Sequence, residues 1–458
     1  MSLFDNEYEM INGYQILLVP NITYLEDIDK DSYVKFMSDI IRELNKIRDD
    51  LFWHAVLPTA SVLLDFPNVK QYHGLKIQSY PNSMRGDFHY QDWLNILDWK
   101  GQHFDLIWSH LPEWTTNIDN LVHNVTNHGG TPIMGYCHWT ETPEFAKYDR
   151  TYLMNNLTGM LPMKVCGYNT QHQINNILTI AQQYFSLPVM NKLQKIMQPM
   201  LIGINDAEIQ EEPSDQYGKV IVFNHRTQQY RGWTTFLEAI KLLRADQQDF
   251  SVWASLADPS GMQQAKEILE DTSFINTTPA DSRADYLNQL RHSCVGVLCG
   301  NRWSISVLDG LSQGLPYIHE PVPEMDELFG HNKFEANSTN QLYLMLKKCL
   351  KDNKHRMMRA HKAIQVAKES SWGSRIQIIN DHIQASINTG RVSSERSEKR
   401  EELVEAVRHH KKVTKSLLTV KMGWGRGISF TSYRNYLREH PQITMTFDGM
   451  HEFFEWRE

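Results

Sequence analysis

The sequence predicts an α/β protein: two doubly wound, Rossmann-like domains, followed by a small third module. Three observations predict it. Short apolar runs alternate with amphipathic stretches, first over about 200 residues and again in a second series from Lys219. At 458 residues the chain is too long for one ordinary domain and suits two with an appendage. Beyond Gly390 the character of the sequence changes, and a strongly basic stretch follows.

The first series opens with Tyr14-Gln15-Ile16-Leu17-Leu18-Val19-Pro20, an apolar run closed by proline, as suits a buried parallel strand. Tyr33, Phe36, Met37, Ile40, Ile41 and Leu44 recur at helical spacing, so a helix covers that strand. Phe52 to Pro58, Phe104 to His110, Pro132 to Cys137 and Met163 to Tyr168 read as further strands, each followed by polar loop residues and a helical stretch. The second series repeats the pattern with strands Lys219 to Phe223, Phe250 to Ala254 and Cys294 to Cys299, and helices Trp233 to Leu243 and Arg283 to His292. Trp372 begins a helix running to about Ile387, and the polar Gly390-Arg391-Val392-Ser393-Ser394-Glu395-Arg396 reads as a linker. The expected domains are 1–205, 206–370, a helix 371–390 and a module 391–458.

In that module Arg408, Lys411, Lys412, Lys415, Lys421, Arg426, Arg434 and Arg438 fall between residues 406 and 441, where Glu439 is the only acid. Phe430 to His440 fits a helix capped by Thr431 or Ser432 and stopped by Pro441. Ile443 to Phe447 alternates, Asp448-Gly449 is a hairpin signal and Met450 to Trp456 can return. Helix, helix, hairpin is the outline of a winged helix, which binds nucleic acid or equally protein. Glu452, Glu455 and Glu458 speak against DNA contact along the return strand.

Composition bounds the rest. With 41% hydrophobic and 22% charged residues the expectation is a soluble globular protein. No apolar run is long enough to span a membrane and the N-terminus lacks a signal-peptide layout, so a cytoplasmic location is expected. Five cysteines, none in a Cys-x-x-Cys pair, read as buried thiols and not as disulfides or a zinc site. His361, His409 and His410 form no ligand spacing with acids or cysteines, so no metal is expected. A net charge of −8 argues against the whole surface clinging to nucleic acid, though not against a local basic patch.

Three stretches can carry chemistry. Asn301 to Ile318 reads as a polar loop, a short helix, a stop at Gly314 and a new strand after Pro316. Helix N-terminal amides favour anions, so Ser304 and Ser306 can face a phosphorylated ligand while Asp309 accepts hydrogen bonds from sugar hydroxyls. Phe223 to Gly232 sets Arg226 and Arg231 just after a buried strand, where two cations can meet phosphate oxygens. Gly135 to Glu141 places His138 at the mouth of a parallel strand, with Glu141 able to orient its ring.

The loop-aromatic-apolar-Asp run followed by Ser312-Gln313-Gly314-Leu315-Pro316, with the Arg226…Arg231-Gly232 segment upstream, resembles glycosyltransferases of family 4 with the GT-B fold. The resemblance implies two facing domains and a nucleotide-sugar donor, here a UDP-sugar. It implies that Arg226 and Arg231 stabilise the leaving diphosphate, that Asp309 holds the ribose, that Trp303 walls the pocket and that His138 contacts the transferred sugar. Retention at the anomeric carbon and no divalent metal are implied likewise. The chain departs from the family pattern at Asn301, where an acid is usual, at Ser304 and Arg231, which replace glycine and lysine, and after the first strand, where no glycine-rich loop follows. The basic module points to a polyanionic acceptor: a bacteriophage-type enzyme that glycosylates a hydroxymethylated pyrimidine in duplex DNA, acting in the host cytoplasm. The alternatives are a polysaccharide or small-molecule acceptor, and a non-enzymatic DNA-binding protein on a decayed GT-B fold.

Overall fold

The alternating apolar pattern of the first strand is used on both sides. In β1 (Tyr14–Val19), Ile16 and Leu18 enter one core and Leu17 and Val19 the other, as period-two side chains of a strand covered on both faces must. In this computed structural model the described residues are 13–19, 21, 32–58, 66–75, 88–99, 102–125, 131–137, 150–227, 231–246, 249–300, 304–330, 334–414, 437, 440–448 and 451–457.

The first domain runs β1, α1 (Ser32–Ile47), β2 (Leu51–Pro58), β3 (Val69–Leu75), α2 (Tyr90–Ile96), β4 (Leu106–Ser109), α3 (Pro112–Asn120), β5 (Ile133–Cys137), α4 (Arg150–Met160), β6 (Val165–Tyr168), α5 (Gln171–Ala181), α6 (Leu187–Ile196) and β7 (Met197–Pro199). Its strands form one parallel sheet in the order β3-β2-β1-β4-β5-β6-β7. Phe36, Met37, Ile40, Ile41 and Leu44 of α1 are buried against it, as their spacing predicts. The third strand of this sheet, β3, and helix α2 have no counterpart in the sequence reading. Val69 to Leu75 carries Lys70, Gln71 and His73 and is too polar to announce a strand.

The second domain runs β8 (Val220–Val222), α7 (Trp233–Ala245), β9 (Ser251–Trp253), α8 (Pro259–Ile268), β10 (Ile275–Asn276), α9 (Arg283–Arg291), β11 (Val295–Leu298), α10 (Ile305–Ser312), β12 (Tyr317–His319), α11 (Pro323–Phe329), α12 (Thr339–Lys351) and α13 (Asn353–Glu369). Its parallel sheet has the order β10-β9-β8-β11-β12.

The last helix corrects the sequence reading. Helix α14 runs unbroken over Trp372–His410, 39 residues and roughly 58 Å, through the stretch expected to be a linker. One glycine does not stop a helix when the following Arg, Glu and Lys residues favour it, and no proline follows. Trp372, Ile376, Ile379, Ile383 and Ile387 bury one stripe of α14 in the core shared with α1 and β1, so the helix crosses back onto the first domain. Farther along, Leu403 and Val407 join Val413, Leu437, Ile443 and Phe454 in a separate small core. There β13 (Lys412–Thr414), β14 (Ile443–Asp448) and β15 (His451–Trp456) form an antiparallel sheet in the order β13-β15-β14. The expected hairpin is therefore present, and β13 is an addition. Of the expected helix from Phe430 to His440 only Leu437 and His440 lie among the described residues.

Candidate active site

In a doubly wound sheet ligands bind beyond the carboxyl ends of the strands, where the strand order reverses. In the second domain that point lies between β8 and β11. The loops leaving these two strands carry the two segments singled out in the sequence, and the fold brings them together.

Ser306, in the first turn of α10, sets its Oγ 2.8 Å from Nδ1 of His225, which follows β8. Ser304 occupies the N-cap position of α10 but does not cap it; its Oγ lies 2.8 Å from Ser306 Oγ. Asn224 braces the same junction. Its Nδ2 donates to Tyr286 Oη at 2.7 Å and to the Ser306 carbonyl at 3.2 Å, while Tyr317 Oη donates to its Oδ1 at 2.6 Å. Asn224, His225 and Ser306 are all buried. Tyr317 fits there because Gly296 and Gly310 flank it: a Cβ on Gly310 would stand 2.1 Å from its ring.

Burial, reinforced by the positive charge of Arg231 and opposed by the Val297 backbone, lowers the pKa of His225 from 6.5 to about 3. The imidazole is thus neutral near pH 7. Arg231 is half-buried and directly precedes Gly232, which packs against Cys299 just after β11, so the chain brings it to this junction. The loop is folded tightly by Gly232, whose φ is +73° and whose added Cβ would meet the Cys299 carbonyl oxygen at 2.1 Å. Only glycine allows that left-handed turn and that approach, which gives the Arg-Gly pair its physical meaning. Arg226, on the same loop, is exposed.

Asp309 lies one helical turn beyond Ser306 and is tied elsewhere. Arg283, the first residue of α9, donates from Nη2 to Asp309 Oδ1 at 2.5 Å and to Glu208 Oε2 at 2.7 Å, and from Nε to Glu208 Oε1 at 3.2 Å. Asp309 also lines a small pocket with Lys35, Asp39, Asn205, Glu208 and Trp372, between α1 and α10.

Of the residues named from sequence, the fold therefore brings Arg231, Ser304 and Ser306 into one cluster and puts Asp309 beside it with a cationic partner. His138 and Trp303 lie outside the described residues, as do Lys415, Lys421, Arg426, Arg434 and Arg438 of the basic module. Lys411 and Lys412 are exposed at the end of α14 and the start of β13, with Lys412 Nζ 3.6 Å from Glu455. Asn224, His225, Arg283, Tyr286 and Glu208 were missed. A signal existed for Arg283: a cation at the first position of a helix opposes the helix dipole and asks for an anionic partner.

Among the described residues no group of three or more His, Cys, Asp and Glu side chains is placed to hold a metal, and no helix is long and apolar enough to cross a membrane. All five cysteines are buried thiols.

No protein-family model matches the chain, and no curated sequence does. Solved structures match in shape. The Candida albicans trehalose-6-phosphate phosphatase N-terminal domain aligns with a TM-score of 0.59 at 13% identity, covering 84% of this chain and 99% of that one. Anabaena HepE in complex with UDP and glucose aligns with a TM-score of 0.57 at 12% identity, covering 82% and 99%. The α,α-trehalose 6-phosphate synthase from Burkholderia multivorans aligns with a TM-score of 0.56 at 14% identity, covering 84% and 98%. The fold is GT-B. At such identities the likeness concerns architecture alone.

Proposed function

We propose that the chain is a glycosyltransferase that moves a sugar from a UDP-sugar to a hydroxyl acceptor. The observation that carries this reading is the convergence of Arg231, neutral His225, Ser304 and Ser306 at the switch point of the second sheet. HepE, with the same fold, holds UDP and glucose, which supports the choice of ligand.

In this reading Arg231 and Arg226 face the diphosphate. As the bond from the anomeric carbon to the diphosphate breaks and the acceptor oxygen bonds to that carbon, negative charge gathers on the departing UDP. Fixed guanidinium groups stabilise that charge more in the transition state than in the ground state. Ser304 and Ser306 offer hydroxyls beside it, Asp309 accepts from the ribose hydroxyls, Trp303 walls the pocket and His138 contacts the transferred sugar. The reaction retains configuration and needs no divalent metal, as the family resemblance implies.

For the acceptor we propose a hydroxymethylated pyrimidine in duplex DNA, with the enzyme acting in the cytoplasm of a phage-infected host. Two features support it: the basic run from Arg408 to Arg438, and a C-terminal sheet in which the strand following a helix pairs with the return strand of a hairpin, the strand order of a winged helix. Phosphate contacts from that run would make transfer strongly salt-dependent.

Two steps test this. UDP titrated into the full chain should bind, and a panel of UDP-sugars with hydroxymethylcytosine-containing duplex should add a hexose or pentose mass to the digested nucleoside. UDP binding without that increment would shift the acceptor to a polysaccharide or small molecule. Neither binding nor transfer would overturn the enzyme and leave a DNA-binding protein on a GT-B frame.

A further inference from the structure

Arg283 stands at the wrong end of a helix for a cation. Burial also works against its charge, yet the carboxylates of Asp309 and Glu208 outweigh both effects and raise its pKa. Its guanidinium makes a fork: Nε and Nη2 take the two oxygens of Glu208 at 3.2 and 2.7 Å, which fixes the plane of the group. With that plane fixed, Nη2 also reaches Asp309 Oδ1. Asp309 Oδ2 has no hydrogen-bond partner among the described residues.

The fork is held from the other domain. Lys35 Nζ of α1 lies 3.4 Å from Glu208 and 2.7 Å from Asp39, and Asp39 in turn takes Arg42 at 2.6 Å and Asn205 Nδ2 at 3.1 Å. Charges alternate in one row, Asp309, Arg283, Glu208, Lys35, Asp39, Arg42, from α10 of the second domain to α1 of the first. The ring of Tyr286 lies 5.4 Å from the Arg283 guanidinium and its hydroxyl meets Asn224, so the row also touches the cluster around Ser306.

We propose that Arg283 is a positioning residue for the donor's ribose: it occupies Oδ1 of Asp309, turns Oδ2 toward the ribose hydroxyls, and anchors that orientation to the first domain through Glu208 and Lys35. This rests on the reading of Asp309 as the ribose acceptor. A lone carboxylate on a partly exposed helix samples several rotamers, each of which would have to be given up on binding. A carboxylate already held by a planar fork presents its second oxygen at no further cost in rotamer freedom. Lysine at this position keeps the charge but has no fork, so it cannot hold Glu208 by two parallel bonds and Asp309 by a third.

The test is the preference of the full chain for UDP over 2′-deoxy-UDP, measured by titration calorimetry on the native protein and on Arg283→Lys and Arg283→Met. The native chain should prefer UDP by roughly tenfold, the scale of one hydrogen bond to a charged group. Both variants should lose most of that preference by weakening UDP binding, while 2′-deoxy-UDP binds much as before. A merely structural arginine would weaken both ligands together. Should Arg283→Met fail to fold, Arg283→Lys, which retains the charge, decides alone. An intact preference in a folded variant, or no preference in the native chain, overturns the inference while leaving UDP as ligand. A native chain that binds neither nucleotide overturns the donor reading itself, and the inference with it.

Discussion

His225 shows how burial at the switch point becomes a measurable property. In the unfolded chain its imidazole takes a proton near pH 6.5, but in the folded chain only near 3. Between those values the unfolded state holds the extra proton. The stability this group contributes is therefore complete above about pH 6.5 and is lost as pH falls toward 3, by at most about 1.4 kcal/mol per pH unit. His54, buried between Gln15 and Tyr72 with a pKa lowered to about 4, acts in the same direction. Thermal midpoints of the native chain should fall between pH 7 and 5, and His225→Asn, which can still meet Ser306, should fall less. Parallel curves for the two proteins would show that His225 titrates normally. None of this was legible in the sequence, where Asn224-His225 reads as the start of a loop. Burial of a polar pair is decided by what packs over it, here Tyr317 and α10, and those residues lie far along the chain.

At the level of elements, the turn ending in Gly232 and the helix α14 make opposite points. The Arg231-Gly232 pair was readable because a left-handed turn is a local demand that one residue type meets. Gly232→Ala should destabilise the chain by about 2 kcal/mol or more, through the positive φ and the clash with the Cys299 carbonyl, and should weaken UDP binding by displacing Arg231. A denaturant midpoint equal to that of the native chain would count against the close approach. Helix α14, by contrast, runs through residues whose composition predicts a linker. Polar composition looks the same in a linker and in an exposed helix, and the two apolar stripes that hold its ends, Trp372 to Ile387 and Leu403 to Val407, are separated by a stretch whose sequence has no apolar periodicity. Continuity was decided by anchoring at both ends.

For the whole molecule, the contacts between the domains are polar as well as apolar. Glu327 of α11 accepts from the Gln171 and His172 backbone amides at 2.6 and 2.7 Å, so a carboxylate of the second domain caps helix α5 of the first. Arg375 near the start of α14 donates to the carbonyls of Ile202 and Leu328, one on each side of the cleft. Replacing Glu327 by glutamine should cost about 0.5–1 kcal/mol, the scale of a charge at an exposed helix N-terminus, and should make the denaturation midpoint less sensitive to salt. A variant with native stability and native salt response would show that the two domains are held without this cap.

The sequence by itself determined the kinds of element and their order, because the two periods that distinguish buried strands from amphipathic helices are local. It determined as well that the segments after β8 and β11 carry cations, hydroxyls and an acid. Tertiary structure decided which of these meet. Ser306 and His225 are 81 residues apart, and Arg283 and Glu208 are 75 apart. Their contact depends on the strand order of the sheet and on α1 docking against the second domain. Strand order follows from how whole layers pack, and no periodicity within a segment encodes it. The same packing removed water from His225 and set its charge, which is why the site's electrostatics belong to the fold and not to the motif.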